Sequence, residues 1–277
     1  MTERPADGET ADEQAAFERV AAYVEDELGF ATSHYNDSYL KRRLSSRMRR
    51  THVDDYGGYY DVLVDNEEEA EELLDALSIN VTGFFRNPDV WDGLRDVMRD
   101  LSAKQDHVHV WSAACADGRE PYSLAMLALD DPRVDAEKFH IYGTDISVDA
   151  LHTAQDGVYH STRTVDIGDQ LGFLSNFHAY IDKQENRFEV TDRVKRMVTF
   201  ARHDLINDDA KSGFDLVVCR NLFIYIDNEY KEPILRTVAD ALRPDGYLVI
   251  GKAETIPPQL KSVFSVLDGR LRIYQRE

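Results

Sequence analysis

No strand-like alternation of apolar and polar residues occurs before about residue 106, and from there to the C-terminus strands alternate with helices. That division restricts the 277-residue chain to a small all-helical opening followed by a mostly parallel sheet with helices on both faces. In the opening, Phe17, Val20, Ala21, Val24 and Leu28 recur at helical spacing, with Gly29 behind them as a C-cap. Tyr39, Leu40, Leu44 and Met48 mark a second helix, Tyr56 to Val64 a third and Glu67 to Leu77 a fourth. Asn87-Pro88-Asp89 reads as a helix start, with Asn as N-cap and Pro at the first helical position. Strands are expected at His107–Trp111, Phe139–Thr144, Met197–Ala201, Phe214–Cys219 and Gly246–Ile250. Helices are expected at Pro121–Leu129, from Ser147 as cap through Ala154, and from Asn228 as cap through Leu242. Val263–Leu267 and Leu271–Tyr274 form an antiparallel closing hairpin around Asp268-Gly269. Residues 158–196 interrupt the alternation as an inserted subdomain, in which Phe188–Val190 and Val194 are candidate short strands. Residues 1–10 read as a disordered tail.

Composition narrows the function. Fifty-two acidic residues against 32 basic give a net charge of −20, the opposite of what a nucleic-acid or anionic-membrane binder carries. The balance fits a soluble protein hydrated by surface carboxylates, as in a salty cytoplasm. No run reaches the roughly 18–20 apolar residues that span a membrane, and the polar N-terminus does not read as a secretory signal. Cys115 and Cys219 make neither a disulfide framework nor a CxxC pair, and the nine histidines include no HExxH. We expect a cytoplasmic, metal-free monomer with no nucleic-acid partner and no membrane insertion.

In an open parallel sheet, ligands bind beyond the carboxyl ends of the strands. After the first strand comes Ser112-Ala113-Ala114-Cys115-Ala116-Asp117-Gly118-Arg119-Glu120-Pro121, whose small residues let the backbone approach a ligand. After the second comes Gly143-Thr144-Asp145, an acid placed to bond a ribose diol. The turn lacks G-x-G-x-x-G and the Walker pattern, and Glu120 at the helix start would repel a phosphate and welcome a cation. S-adenosylmethionine, with a sulfonium, an ammonium and a ribose but no phosphate, fits these residues best. A dinucleotide, or an acidic cap on an ordinary helix, remains open at this point.

The stretch Trp111 to Ala125 closely resembles the signature of the CheR chemotaxis receptor methyltransferases, a small-residue turn followed by Gly-Glu-Glu-Pro-Tyr-Ser. Four further blocks follow the family's order: Asn80-Val81-Thr82-Gly83-Phe84-Phe85-Arg86, Gly143-Thr144-Asp145-Ile146, Cys219-Arg220-Asn221-Leu222-Phe223-Ile224-Tyr225 and Leu242-Arg243-Pro244-Asp245-Gly246-Tyr247-Leu248. The resemblance covers roughly residues 15–275. It implies an α/β fold with a Rossmann-like class I methyltransferase sheet, mostly parallel with an antiparallel C-terminal hairpin. Residues 11–78 would be a helical receptor-recognition domain, and 79–277 an S-adenosylmethionine-binding domain that contains the inserted β subdomain.

The same resemblance implies the site. Asn80, Thr82 and Arg86 would lie along the cofactor, with Ala113 at the first strand end. Glu120 would meet the amino-acid portion, Asp145 the ribose, and Arg220 and Asn221 the methyl end. Asp204 and Leu205 would lie near the adenine; the family's usual amide is replaced here by Asp204, which accepts a hydrogen bond but donates none. Arg119 replaces the first Glu of the signature and is expected to point to solvent. Catalysis is assigned to Arg86, which would orient the incoming carboxylate, with Tyr225 and Asn221 positioning the methyl group. The implied reaction is methyl transfer from S-adenosylmethionine to glutamates on the cytoplasmic methylation helices of chemoreceptors, leaving S-adenosylhomocysteine. A non-catalytic binding protein of the same fold and a small-molecule methyltransferase are the alternatives.

Other residues carry blander readings. Phe84, Phe85 and Trp111 read as core, the two cysteines as buried small hydrophobes and His203 as structural. Lys41, Arg42, Arg43, Arg47, Arg49 and Arg50 form a basic run without an acid. It is either a solvated face or a recognition surface for an acidic partner. Arg43, Arg47 and Arg50 share one helix face, and we take them as the substrate-recognition residues.

Overall fold

Short polar side chains start each α-helix of the N-terminal unit, in a computed structural model that describes residues 10–77, 82–163 and 165–277. Helix α1 (Ala11–Asp26) is capped by Thr10, whose hydroxyl accepts the Glu13 N–H at 3.2 Å. Thr10 is therefore ordered into the helix start instead of belonging to a disordered tail; the rest of that expected tail, residues 1–9, lies outside the described residues. Asn36 caps α2 (Asp37–Thr51), Asp55 caps α3 (Tyr56–Asp65), and Asn66 accepts the Glu69 N–H at the start of α4 (Glu67–Leu77). Their apolar stripes, including Phe17, Val20, Leu40, Leu44, Tyr59, Leu63 and Leu73, enclose one core.

One polar side chain on α2 is buried in this unit. Arg47 donates from Nε and Nη2 to the two carboxylate oxygens of Glu69, at 3.0 and 2.6 Å, and from Nη1 to Glu72 at 2.8 Å. The Tyr59 hydroxyl donates to the same Glu69 at 2.7 Å. Burial raises the Glu69 pKa, but the bonds from Arg47 and Tyr59 outweigh it and hold the carboxyl below its usual value. Arg47 is thus an internal strut and not part of a recognition surface. Helical spacing put it on a face with Arg43 and Arg50; α4, packed across that face, covers it.

This unit also takes in Tyr225–Asp227. The Tyr225 carbonyl accepts from the Asn36 backbone and side-chain N–H groups at 3.0 and 2.9 Å, Ile226 bridges Tyr35, and the Tyr225 ring lies 5.0 Å from that of Tyr39. The expected boundary kept residue 225 with the sheet; three residues of that loop instead belong with the helices, because the Tyr225 ring packs against the helical core, Ile226 bridges Tyr35 and the Asp227 N–H donates to the His34 carbonyl at 2.9 Å.

The second unit comprises residues 80–224 and 228–277. It opens with α5 (Pro88–Lys104), then β1 (Val108–Ala113), α6 (Arg119–Asp130), β2 (Phe139–Asp145) and α7 (Val148–Asp156). The inserted stretch forms β3 (Val158–His160), α8 (Ile167–Leu171), β4 (Ile181–Gln184), β5 (Arg187–Val190) and α9 (Asp192–Lys195), so Val194 is helical and not in a strand. There follow β6 (Val198–Arg202), β7 (Phe214–Cys219), α10 (Asn228–Ala241), β8 (Leu242–Ile250), β9 (Phe264–Asp268) and β10 (Ile273–Arg276). The main sheet has the order β6-β2-β1-β7-β8-β10-β9; its first five strands are parallel and β10 is antiparallel to both neighbours. A separate antiparallel sheet, β3-β5-β4, makes up the insertion. The chain leaves β1 first toward β2 and β6 and later toward β7 and β8. The loops after β1 and β7 therefore diverge, and their carboxyl ends open a crevice at the point where strand order reverses.

Candidate functional site

Arg220, the first residue after β7, is the hub of this crevice. Its side chain is 1% exposed. Nη1 donates to Glu120 at 3.2 Å, and Nη2 donates to the Arg86 carbonyl at 2.9 Å and to Asn87 Oδ1 at 3.1 Å. One guanidinium thus ties the start of α6 to the segment before α5. Asn87 is therefore not a side-chain cap for α5, as expected, but sits at φ 60° with its oxygen turned to Arg220. Glu120 also accepts from Ser112 Oγ at 2.9 Å. Burial raises the Glu120 pKa, and Arg220, Ser112 and Arg86 oppose the rise.

The turn after β1 holds its shape by unusual backbone. Ala114 and Ala116 adopt positive φ, and Gly118 starts α6 at φ 86°. A Cβ on Gly118 would lie 2.6 Å from that of Ala154, so the residue must be glycine. The Ala116 N–H donates to Asp145 at 2.7 Å, and the Ser147 N–H donates to the other Asp145 oxygen at 3.0 Å. Burial raises the Asp145 pKa against those amide bonds. Phe85, Asn87 and Asn221 also have positive φ, so among the described residues five of the nine non-glycine residues in that region lie in the segments around the crevice. Such strain collects where a fold holds a site.

The remaining expected residues divide. Thr82 is half-buried, and its carbonyl accepts from Arg119 Nη1 at 3.3 Å. Arg119 does not point to solvent. It also pairs with Asp117 at 3.3 Å and lies 5.0 Å from the centroid of the Tyr159 ring, because the signature helix turns that side of its first residue under the insertion. Ala113 and Leu205 are buried. Asp204 serves its own turn: Oδ1 accepts from the Ile206 and Asn207 N–H groups at 2.8 and 3.2 Å, and Oδ2 from the Asn207 side chain at 2.9 Å. This donor set suits a carboxylate, which accounts for the acid where an amide was expected. Asn80 lies outside the described residues. Phe84 and Phe85 are 1% exposed core, fixed by Gln170 and Ser123, which accept their N–H groups.

Sequence reasoning missed Glu254. It is 3% exposed and accepts the N–H groups of Asn221 at 3.1 Å, Phe223 at 2.7 Å and Gly251. The available signal was its place just past the end of β8, among the loops where a parallel sheet builds its sites.

Whether the crevice suits S-adenosylmethionine can be asked of its unsatisfied atoms. Buried polar atoms without a protein partner include Arg220 Nε and His203 Nε2, each just beyond a carboxyl strand end, and Arg119 Nε at the start of α6. Arg220 Nε is a donor suited to the cofactor's carboxylate, beside Glu120 as acceptor for its ammonium. The residues fit. Among the described residues no group of three or more His, Cys, Asp or Glu could hold a metal ion, and no helix is long and apolar enough to cross a membrane.

A parallel sheet reversing at β1 and β7, with an acid ending β2 and an arginine–carboxylate pair in the crevice, is a Rossmann-like arrangement of the kind that binds a nucleoside-containing ligand. Residues 80–273 match the CheR methyltransferase SAM-binding domain and residues 15–78 the CheR methyltransferase all-alpha domain. The chemotaxis protein methyltransferase of Listeria monocytogenes is 32% identical over 235 residues, 84% of this chain and 87% of that protein. Its namesake in Escherichia coli is 29% identical over 244 residues, 87% of this chain and 84% of that protein. The chain belongs to the CheR methyltransferase family and is an S-adenosylmethionine-dependent methyltransferase of the chemotaxis type.

Proposed function

We propose that this protein transfers the methyl group of S-adenosylmethionine to glutamate side chains on the cytoplasmic methylation helices of chemoreceptors, forming methyl esters. The observation that carries the reading is the buried Arg220–Glu120 pair at the strand reversal, with one guanidinium donor left open. In this reading Arg220 and Glu120 hold the zwitterionic end of the cofactor, Asp145 its ribose, and Thr82, Ala113, Leu205 and Asn221 line it. When bound, S-adenosylmethionine supplies a methyl carbon made electrophilic by its sulfonium.

A glutamate has a reference pKa of about 4.3 and arrives as a carboxylate, so the enzyme need not remove a proton. Held by Arg220, Glu120 and Asp145, the cofactor would supply both the methyl group and a neutral thioether leaving group, so the glutamate carboxylate would need only to be held in line with them. The crevice is suited to such a transfer. Burial pushes the thiols of Cys115 and Cys219 well up and lowers the His203 pKa, so neither a thiolate nor an imidazolium competes. Arg86 would orient the incoming carboxylate, and Asn221 would position the methyl group. What remains is alignment and exclusion of water.

The helical unit would present the receptor through its exposed cations. Arg42, Arg49 and Arg50 are exposed and Arg43 is half-buried against the Tyr39 ring; with Arg47 internal, Arg43 and Arg50 remain as recognition residues. We place the enzyme in the cytoplasm, as a monomer. The test is transfer of tritiated methyl to a panel of receptor signalling domains, followed by mild base. Label released as methanol supports an ester on glutamate. Base-stable label, or label only on small molecules, would overturn the reading.

A further inference from the structure

We propose that Glu254 is a positioning residue for the methyl-transfer site, fixing the Arg220–Phe223 turn through its carboxylate so that Arg220 and Asn221 face the cofactor. The inference rests on the proposed function for the identity of that cofactor's partners, and on geometry for the rest.

Three backbone donors from two loops converge on this carboxylate: Asn221 and Phe223 beyond β7, and Gly251 beyond β8. Asn221 sits at φ 63°, a left-handed conformation that asparagine adopts more readily than most residues, and its N–H donates to Glu254 from there. Gly251 leaves room for the approach. A Cβ at that position would fall 2.5 Å from Glu254 Oε2 and 2.9 Å from the Asn221 nitrogen. The Glu254 N–H closes its own turn on the Gly251 carbonyl at 2.9 Å. Arg220 directly precedes the anchored Asn221, and its guanidinium reaches Glu120, the Arg86 carbonyl and Asn87 from the backbone that this turn carries. A side chain offering fewer acceptors lets the turn relax and withdraws Arg220 from Glu120.

Glu254→Gln keeps the shape but turns an NH₂ group toward backbone donors. The full chain is titrated with S-adenosylmethionine by calorimetry and assayed on a receptor signalling domain. The expected result is a Kd for S-adenosylmethionine raised about tenfold to a hundredfold, with the number of binding sites unchanged, a lower kcat and an unchanged KM for the receptor. A merely structural role would instead lower the number of sites and leave Kd alone. Val249→Ala, a fully buried position on β8, serves as a destabilised control and is expected to keep the wild-type Kd. Should Glu254→Gln not fold, Glu254→Asp, one methylene shorter, is read in the same way. A Kd within twofold of wild type in the folded variant, or an equal rise in Val249→Ala, would overturn the inference. Wild-type protein that binds S-adenosylmethionine but methylates no receptor would overturn the proposed function and leave the Kd comparison standing.

Discussion

Both units of this protein bury an arginine against a glutamate, and the two pairs are built differently. Arg47 in the helical unit spends all three guanidinium nitrogens on two carboxylates, in a fork on Glu69 and a single bond to Glu72. Arg220 in the methyltransferase unit makes one bond of 3.2 Å to Glu120, gives its remaining bonds to a carbonyl and an amide oxygen, and leaves Nε without a partner. Glu69 is 6% exposed and held below its usual pKa, whereas Glu120 is 13% exposed and raised. A saturated pair is an element of stability with nothing left to bind. An undersaturated one, costly to bury, keeps a donor and an acceptor for a ligand.

The largest test of this contrast is Arg47→Ala. It strands Glu69 beside Tyr59 without a cation, and breaking such a buried pair costs about 3 kcal/mol or more. Chemical denaturation should show that loss in the helical unit, while calorimetry finds S-adenosylmethionine affinity within twofold of wild type. An unchanged midpoint would deny Arg47 its role as a strut. Arg220→Lys should do the reverse. It keeps the charge but loses the planar fork, and we expect about a tenfold loss of S-adenosylmethionine affinity, roughly 1.4 kcal/mol, with a smaller change in stability. Wild-type affinity would remove Arg220 from the site. Asp145→Asn leaves one acceptor oxygen where two backbone amides now bond, and should weaken cofactor binding by about 1 kcal/mol.

Acid should separate the two pairs. Glu69 titrates below its ordinary value of 4.5, so the unfolded chain binds more protons than the native one just below that value. Its stabilising contribution is present above pH 4.5 and is lost as pH falls through the depressed native value. Glu120 titrates above 4.5; its native form takes up a proton first, and its ionised form costs stability that acid relieves. Lowering the pH from neutrality should therefore weaken S-adenosylmethionine binding before circular dichroism reports loss of the helical unit. Both changes at one pH would mean that the pairs are equivalent. The smallest expected effect is at Arg50, which is exposed. Arg50→Gln should cost stability about 0.5 kcal/mol, since Arg50 also helps hold Glu69 ionised, and slow receptor methylation only at low salt, because exposed charges are screened within about 8 Å at physiological ionic strength. Equal rates at every salt concentration would make this face solvated surface.

The sequence alone determined the alternation of strands and helices, the helix start at which Glu120 stands, the strand ends at which Asp145 and Arg220 stand, and the burial of Phe84, Phe85 and Trp111. These are local matters of period, turn chemistry and apolar mass, and residues near in the chain decide them. Only the tertiary structure decided which charges are free. Arg43, Arg47 and Arg50 have the same helical address, yet α4 lies over Arg47 and supplies Glu69 and Glu72, 22 and 25 residues further along. Arg119 reads as a solvent residue until the Thr82 carbonyl and the Tyr159 ring are placed beside it. Tyr225 follows Asn221 in one motif but joins the helical core through Asn36, and Glu254 reaches Asn221 from 33 residues away. A helical period names a face and not what packs against it, and a buried carboxylate is recognised by donors that the fold alone brings together.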